Sequence, residues 1–321
     1  MKKILGMGNA LVDIMIRLEE EEILGRLELP KGSMQLVDEG RSKNVLSSFE
    51  KHPKSFSAGG SAANTIHGLA MLGVTTGYIG VIGEDELGGS FVKNMIDAGV
   101  EPYMIHSRQA TGHAIALVTP DSERTFATFL GAAIELTADH ISSFDYSKYD
   151  HLHIEGYLVQ NHELVKTAVT LAKKNGLSVS LDLASFNVVE ANLEFLKEIV
   201  KSHVDILFAN EEEAAAFTGK EPRAALDEMG KMVKIAVVKT GAKGSLIKSG
   251  KKVIEVGVIK VSPVDTTGAG DLYASGFLYG YAQELPLEKC GELGALLSGH
   301  VIEVLGAKMD QETWAKIFNS I

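Results

Sequence analysis

The chain has 321 residues, 45% hydrophobic and 23% charged with only 7 Pro, enough for one large α/β domain or two smaller ones. A net charge of −11 argues against a broad DNA- or RNA-binding surface but leaves room for a local basic pocket around a small anion. The single cysteine, Cys290, excludes an internal disulfide and fits a reducing compartment; no uncharged apolar run reaches about 18 residues and the start is too short for a signal peptide, so a soluble cytoplasmic protein is expected.

Residues 3–8 read as a buried strand ending in a turn, Gly8-Asn9-Ala10-Leu11-Val12-Asp13. Asp13 can accept two hydroxyl hydrogen bonds, which suits a vicinal diol. Gly6-Met7-Gly8 resembles the start of a dinucleotide fingerprint, but Leu11 stands where a small residue is required, so no NAD site is expected. Residues 11–37 alternate irregularly, and Glu19-Glu20-Glu21-Glu22 is a solvated face. Ala58-Gly59-Gly60-Ser61-Ala62-Ala63-Asn64 is a Gly-rich turn opening a helix over 61–72, with Ile66, Leu69 and Ala70 at helical spacing. Paired glycines permit close backbone approach to a ligand, and Asn64 can both donate and accept. A strand is expected over 78–83 and a helix over 89–98. Between them, Gly83-Glu84-Asp85-Glu86-Leu87-Gly88-Gly89-Ser90 nearly matches a P-loop, but Gly89 replaces the lysine and the phosphate-binding logic fails. Residues 113–118 and 124–129 form a hairpin around Thr119-Pro120-Asp121-Ser122.

Strand–helix alternation follows. Strands are expected over 151–154, 178–183, 206–209 and 235–239, and helices over 162–174, 193–201 and 211–217. This implies parallel βαβ units, with ligands at the carboxyl ends of the strands. His151, His153 and Glu155 share one strand face, either as a polar strand end or as a substrate-facing edge; their spacing does not suit a closed zinc site. Asn210-Glu211-Glu212-Glu213 opens a helix, with Asn210 and Glu213 as a capping box or Glu213 near a Mg²⁺–phosphate complex. Lys239-Thr240-Gly241-Ala242-Lys243-Gly244-Ser245 leads into a hairpin over 245–248 and 252–256, or receives nucleotide phosphates. Last comes Asp265-Thr266-Thr267-Gly268-Ala269-Gly270-Asp271, a Gly-rich turn before an apolar helix. Free amides and the positive end of the helix dipole favour an anion there, and Asp271 adds a potential base. That combination serves phosphoryl transfer to a hydroxyl.

Taken in order, these segments resemble the ribokinase-like (PfkB) carbohydrate and nucleoside kinase family. The Gly-rich segments at 58–64 and 265–271, Ile82-Gly83-Glu84-Asp85-Glu86-Leu87-Gly88 and Asn210-Glu211-Glu212-Glu213 carry the likeness over essentially the whole chain. Within the family, Gly8-Asn9 with Asp13, Arg124-Thr125-Phe126-Ala127-Thr128-Phe129-Leu130 and Glu155-Gly156-Tyr157-Leu158 are similar to the adenosine kinase branch. The resemblance implies a single α/β domain, a three-layer αβα sandwich with a mostly parallel central sheet, and a small β lid from about 11–37 and 103–130. It implies Asp271 as base and Gly268, Ala269 and Gly270 as anion hole, with Arg124 meeting phosphate charge. Asn9, Asp13, Gly59, Gly60, Ser61 and Asn64 would lie on the acceptor side, and Gln35, Leu130, Tyr157 and Phe186 around a purine. Asn210, Thr240, Gly241 and Gly244, with Gly268 and Gly270, would line an ATP site, and Glu213 would support Mg²⁺ through water.

Two departures stand out. Val304-Leu305-Gly306-Ala307-Lys308 only loosely matches the region that, with Asp265, binds a monovalent cation such as K⁺ in some relatives; Asp182 replaces an amide. The implied reaction is ATP-dependent phosphorylation of a purine nucleoside 5′-hydroxyl. A sugar kinase of the same fold and a catalytically silent nucleoside-binding sensor are the alternatives. Monomer and homodimer both stay open.

Overall fold

The computed structural model describes residues 1–121 and 123–321, so Ser122 of the expected hairpin turn lies outside the described residues. Among the described residues, fourteen strands form two sheets. In chain order they are β1 Ile4–Met7, β2 Leu11–Arg17, β3 Met34–Leu36, β4 Ser55–Gly59, β5 Thr76–Gly83, β6 Val100–Ser107, β7 Gly112–Val118, β8 Arg124–Phe129, β9 His151–Glu155, β10 Ser178–Asp182, β11 Ile206–Asn210, β12 Ile235–Lys239, β13 Ser245–Ser249 and β14 Lys252–Val256.

The large sheet has nine strands in the order β14-β13-β12-β11-β10-β9-β1-β5-β6, parallel from β12 to β6 and closed at one edge by the antiparallel hairpin β13–β14. A parallel sheet is covered on both faces, and its strands read as continuous apolar runs; all eight residues of β5 are buried. Period-two alternation divides the core. Ile206, Phe208 and Val237 face the layer of helices Ser61–Met71, Ala269–Ala282 and Leu287–Val301. Leu207, Ala209 and Val238 face helices His162–Lys174, Leu193–His203, Glu211–Thr218 and Pro222–Met229. The architecture is a three-layer αβα sandwich.

The small sheet runs β3-β8-β7-β2-β4 and packs Val12, Ile14, Ile16, Ile115 and Leu117 into the first core layer. Its make-up differs from the two segments expected. Residues 103–107 belong to β6, paired with β5 in the large sheet, whereas β4, outside both segments, pairs with β2. Pro102 speaks against a strand in sequence, but β6 is an edge strand, where a missing amide is tolerated. The helix expected from residue 89 begins at Glu86, because the Asp85 side chain accepts the Gly88 amide at 2.8 Å and so caps it. Among the described residues, no helix is long and apolar enough to cross a membrane.

Helices Ala269–Ala282 and Leu287–Val301 approach closely through Gly276, where a Cβ would stand 2.2 Å from the Leu293 carbonyl oxygen. Gly276→Val should therefore force the pair apart and lower stability by about 2 kcal/mol or more, read as a fall in the thermal or urea unfolding midpoint.

Candidate active site

Adjacent parallel strands end in polar residues: Glu155 on β9, Asp182 on β10, Asn210 on β11 and Lys239 on β12. Register sets Asp182 beside Glu155 and Asn210 beside Lys239. Above this edge lies a cavity of about 960 Å³. Its wall includes Asp13, Gly60, Ser61, Asn64 and Tyr157. Asn210, Gly241, Gly244, Val258 and Ile302 line it too, as does the turn Gly268-Ala269-Gly270-Asp271.

Two helix N-termini meet there. Ser61 Oγ donates to Asp271 Oδ1 at 2.7 Å and Asn64 Nδ2 to Oδ2 at 2.9 Å, joining segments 210 residues apart in sequence. Thr65 Oγ1 adds a bond to the Asp271 carbonyl at 3.1 Å. Gly60 lets the start of the first of these helices press against the turn between β1 and β2. Its φ is +94° and a Cβ would lie 2.2 Å from the Asn9 carbonyl oxygen. Burial pushes the Asp271 carboxyl up to about 6 against the two side-chain hydrogen bonds, so it is ionised at neutral pH.

Gly268 begins the later helix in the left-handed region (φ +75°). Ala269 turns its amide back to the Thr266 carbonyl at 3.2 Å, whereas the amides of Gly270 and Asp271 carry no hydrogen bond among the described residues. Beneath them Lys239 Nζ donates to Asp182 Oδ2 at 2.7 Å, and a Cβ on Gly270 would be 3.1 Å from that ammonium. Burial opposes the Lys239 charge, but Asp182 and Glu213 outweigh it and raise the ammonium's pKa.

Glu213 closes a capping box. Its Oε2 accepts the Asn210 amide and its Oε1 the Asn210 side-chain Nδ2, both at 2.8 Å, while its own amide donates to Asn210 Oδ1. Burial moves Glu213 up to about 7. Each oxygen keeps a lone pair, which fits a carboxylate meeting a hydrated Mg²⁺ through water.

Asp265 Oδ2 accepts the Gly306 amide at 2.6 Å and faces Arg124 Nη2 at 2.5 Å, while Oδ1 accepts the Thr267 amide at 3.0 Å. Arg124 Nη1 also donates to Thr267 Oγ1 at 2.8 Å. The guanidinium thus ties the first residue of β8 to the turn rather than standing free for phosphate. Asp265 thus already has a cation beside it in Arg124, so its carboxylate does not call for a monovalent cation.

The strand triad finds internal partners. Glu155 accepts the amides of Asn9 and Ala62, each at 2.9 Å. His151 bonds Ser178 and Ser180, and His153 bonds Ser180. Burial holds His151 and His153 neutral, near 3 and 4.

The chain matches the pfkB carbohydrate kinases over residues 36–314. It belongs to that family.

A probable sugar kinase from Rhizobium etli is 32% identical with a TM-score of 0.90, covering 99% of this chain and 98% of its own. The adenosine kinase from Sinorhizobium meliloti is 31% identical with a TM-score of 0.89, covering 100% and 99%. An uncharacterized sugar kinase from Archaeoglobus fulgidus is 30% identical over 75% of this chain and 96% of its own length. As a pfkB-family member the chain is an ATP-dependent phosphotransferase acting on a small nucleoside or sugar acceptor, and kinases of this family use Mg-ATP.

Of the expected site residues, Asp13, Gly60, Ser61, Asn64, Tyr157, Asn210, Glu213, Gly241, Gly244 and the 268–271 turn come together in the cavity wall. Asn9 and Gly59 sit just behind it. Asn9 bonds Glu155, and a Cβ on Gly59 would meet the Asp13 carboxylate at 2.4 Å. Thr240 is buried with its hydroxyl on the Gly244 carbonyl. Gln35, Leu130 and Phe186 are outside the wall. Gln35 lies on β3, Leu130 precedes the 3₁₀ turn Gly131–Glu135, and Phe186 is 41% exposed at the start of helix Phe186–Ala191. The Asp182–Lys239 pair escaped the sequence reading; its signal was a charge ending each of two apolar strands.

Arg124→Met would strand the Asp265 carboxylate, and losing one partner of a buried pair costs about 3–5 kcal/mol. The urea midpoint should fall accordingly, and Asp265→Asn added to it should recover part of the loss.

Proposed function

We propose that this kinase transfers the γ-phosphoryl group of ATP to the 5′-hydroxyl of a purine nucleoside, adenosine foremost, giving the 5′-monophosphate. The observation that carries this reading is the Asp271 carboxylate, pinned by Ser61 and Asn64 beside the unbonded amides of a helix N-terminus, in a cavity with room for two ligands.

In this reading the acceptor lies against Asp13, Gly60 and Asn64, with Asn9 and Gly59 framing it. Tyr157 donates its hydroxyl to the Ala184 carbonyl at 3.4 Å and offers a ring face to a flat base. Asp271 takes the proton as the hydroxyl oxygen bonds to phosphorus and the bond to ADP breaks. The Gly270 and Asp271 amides, shaped by Gly268 and Ala269, receive the charge of the moving phosphoryl group. Asn210, Thr240, Gly241 and Gly244 shape the phosphate end of the ATP site, and Val258 and Ile302 give it an apolar wall. Mg²⁺ arriving with ATP would supply charge neutralisation, and Glu213 would hold it through water. Arg124 acts through Asp265 on the turn. The small sheet, bearing Asp13 on β2, closes over the acceptor and excludes water.

A free sugar is the second reading, favoured by the equal likeness to the Rhizobium etli protein and by Phe186 standing outside the wall. Assaying ADP release from Mg-ATP with adenosine, inosine, guanosine, ribose and fructose separates the two. Adenosine turnover is expected; ribose turnover without any nucleoside would overturn the first reading. Tight adenosine binding without turnover would mark a silent sensor.

Asp271→Asn should cut kcat by about 10²- to 10⁴-fold with adenosine binding largely kept. In the wild-type enzyme kcat/KM should fall as pH drops through about 6, where Asp271 gains the proton that disables it as a base. A flat profile down to pH 5 removes that assignment.

A further inference from the structure

Lys308 takes no part in the mechanism above, yet its position is fixed by the active-site turn. Gly306 donates to Asp265 at 2.6 Å, and Ala307 packs on Gly268, where a Cβ would stand 2.5 Å from the Ala307 Cβ. The next residue, Lys308, is half-buried overall, but its Nζ is shut off from solvent and has no hydrogen-bond partner among the described residues. A buried ammonium without a partner is costly unless opposite charge lies near. Burial pulls the ammonium down to about 8, and the charges that oppose this fall are Asp13 and Asp271.

These carboxylates share one cavity wall, and each disfavours the charge of the other. Asp271 is held by Ser61 and Asn64. On Asp13 the chief influence is burial, which pushes it up to about 6, opposed first by Lys308 and then by Arg124, while Asp271 and Asp265 add to the rise. Arg124 is already matched by Asp265, and Lys239 by Asp182. His67, on helix Ser61–Met71, is kept neutral by burial and by Lys308 itself. Among the described residues around this pair, Lys308 is the cation with no carboxylate bonded to it. The orphaned Asn64 Oδ1, also shut off from solvent, adds a third acceptor to a wall already rich in them.

We propose that Lys308 is a positioning residue for the acceptor: its ammonium is the counter-charge that lets Asp13 stand as a carboxylate beside Asp271. Asp13 then accepts from acceptor hydroxyls while Asp271 remains free to take the reacting proton. This rests on the reading of Asp13 as an acceptor-side residue given above.

The sign follows directly. Without the ammonium, Asp13 gains a proton at higher pH and stops accepting at neutral pH. Lys308→Met should raise the adenosine KM about tenfold or more at pH 7, with most of that rise gone at pH 9. The ATP KM should stay within about twofold, and Lys308→Arg should restore the acceptor KM. In an Asp13→Asn background, Lys308→Met should add little. A KM rise that is the same at both pH values, or shared equally with ATP, would assign Lys308 a packing role instead. A ¹³C-carboxyl NMR titration of Asp13 needs no turnover, so it separates this proposal from the choice of substrate. Its midpoint should rise by about two units in Lys308→Met, the shift a tenfold loss of the ionised form at pH 7 requires, and fall in Asp271→Asn. An unmoved Asp13 midpoint in either variant overturns the proposal even if the wild-type enzyme phosphorylates adenosine. If Lys308→Met does not fold, Lys308→Gln carries the same titration, and an unmoved Asp13 midpoint there overturns the proposal.

Discussion

The two side-chain bonds that Ser61 and Asn64 give to Asp271 are the constraint on which the rest of the site depends. They bring the N-termini of two helices to one point, so that both dipoles favour negative charge there. Small residues let the helices come so close: a Cβ on Gly68 would lie 2.5 Å from Ser275 Oγ. The same bonds orient the Asp271 carboxylate, leaving its spare lone pairs to the cavity. A looser helix pair would leave the carboxylate free to rotate and the adjacent amides without a fixed target.

Charge in this site is arranged as matched sets rather than as a field. Asp182 faces Lys239, Asp265 faces Arg124, and Lys308 stands near Asp13 and Asp271. Buried pairs of this kind add little net stability, because desolvation offsets their attraction. Their value lies in holding orientation and protonation state where substrates will bring several negative charges of their own. This local balance coexists with a surface that leaves the whole chain at −11.

Much of this was legible in the sequence. The parallel alternation, the hairpin β13–β14 and both Gly-rich turns lie where pattern and turn chemistry put them. What escaped is what depends on strand order or on distant packing. Asp182 and Lys239 meet only because β11 alone separates β10 from β12. β4 reads Ser-Phe-Ser-Ala-Gly, too small and polar to announce a strand, and it forms by pairing with β2. Phe186 looked like a wall for a base, but it opens its own helix 41% exposed and outside the cavity wall. Lys308 was visible only as the end of a loosely matching tail. Its neighbours come from β2 and from helix Ala269–Ala282, and no local pattern reports that.

The tie between Arg124 and Asp265 has an evolutionary consequence. The two residues are 141 positions apart in number but share one buried charge balance between the small sheet and the turn before helix Ala269–Ala282. Neither can change alone without leaving the other as an isolated ion. A substitution at either position therefore asks for a compensating one at the other, so the two behave as a single unit of charge rather than as independent sites.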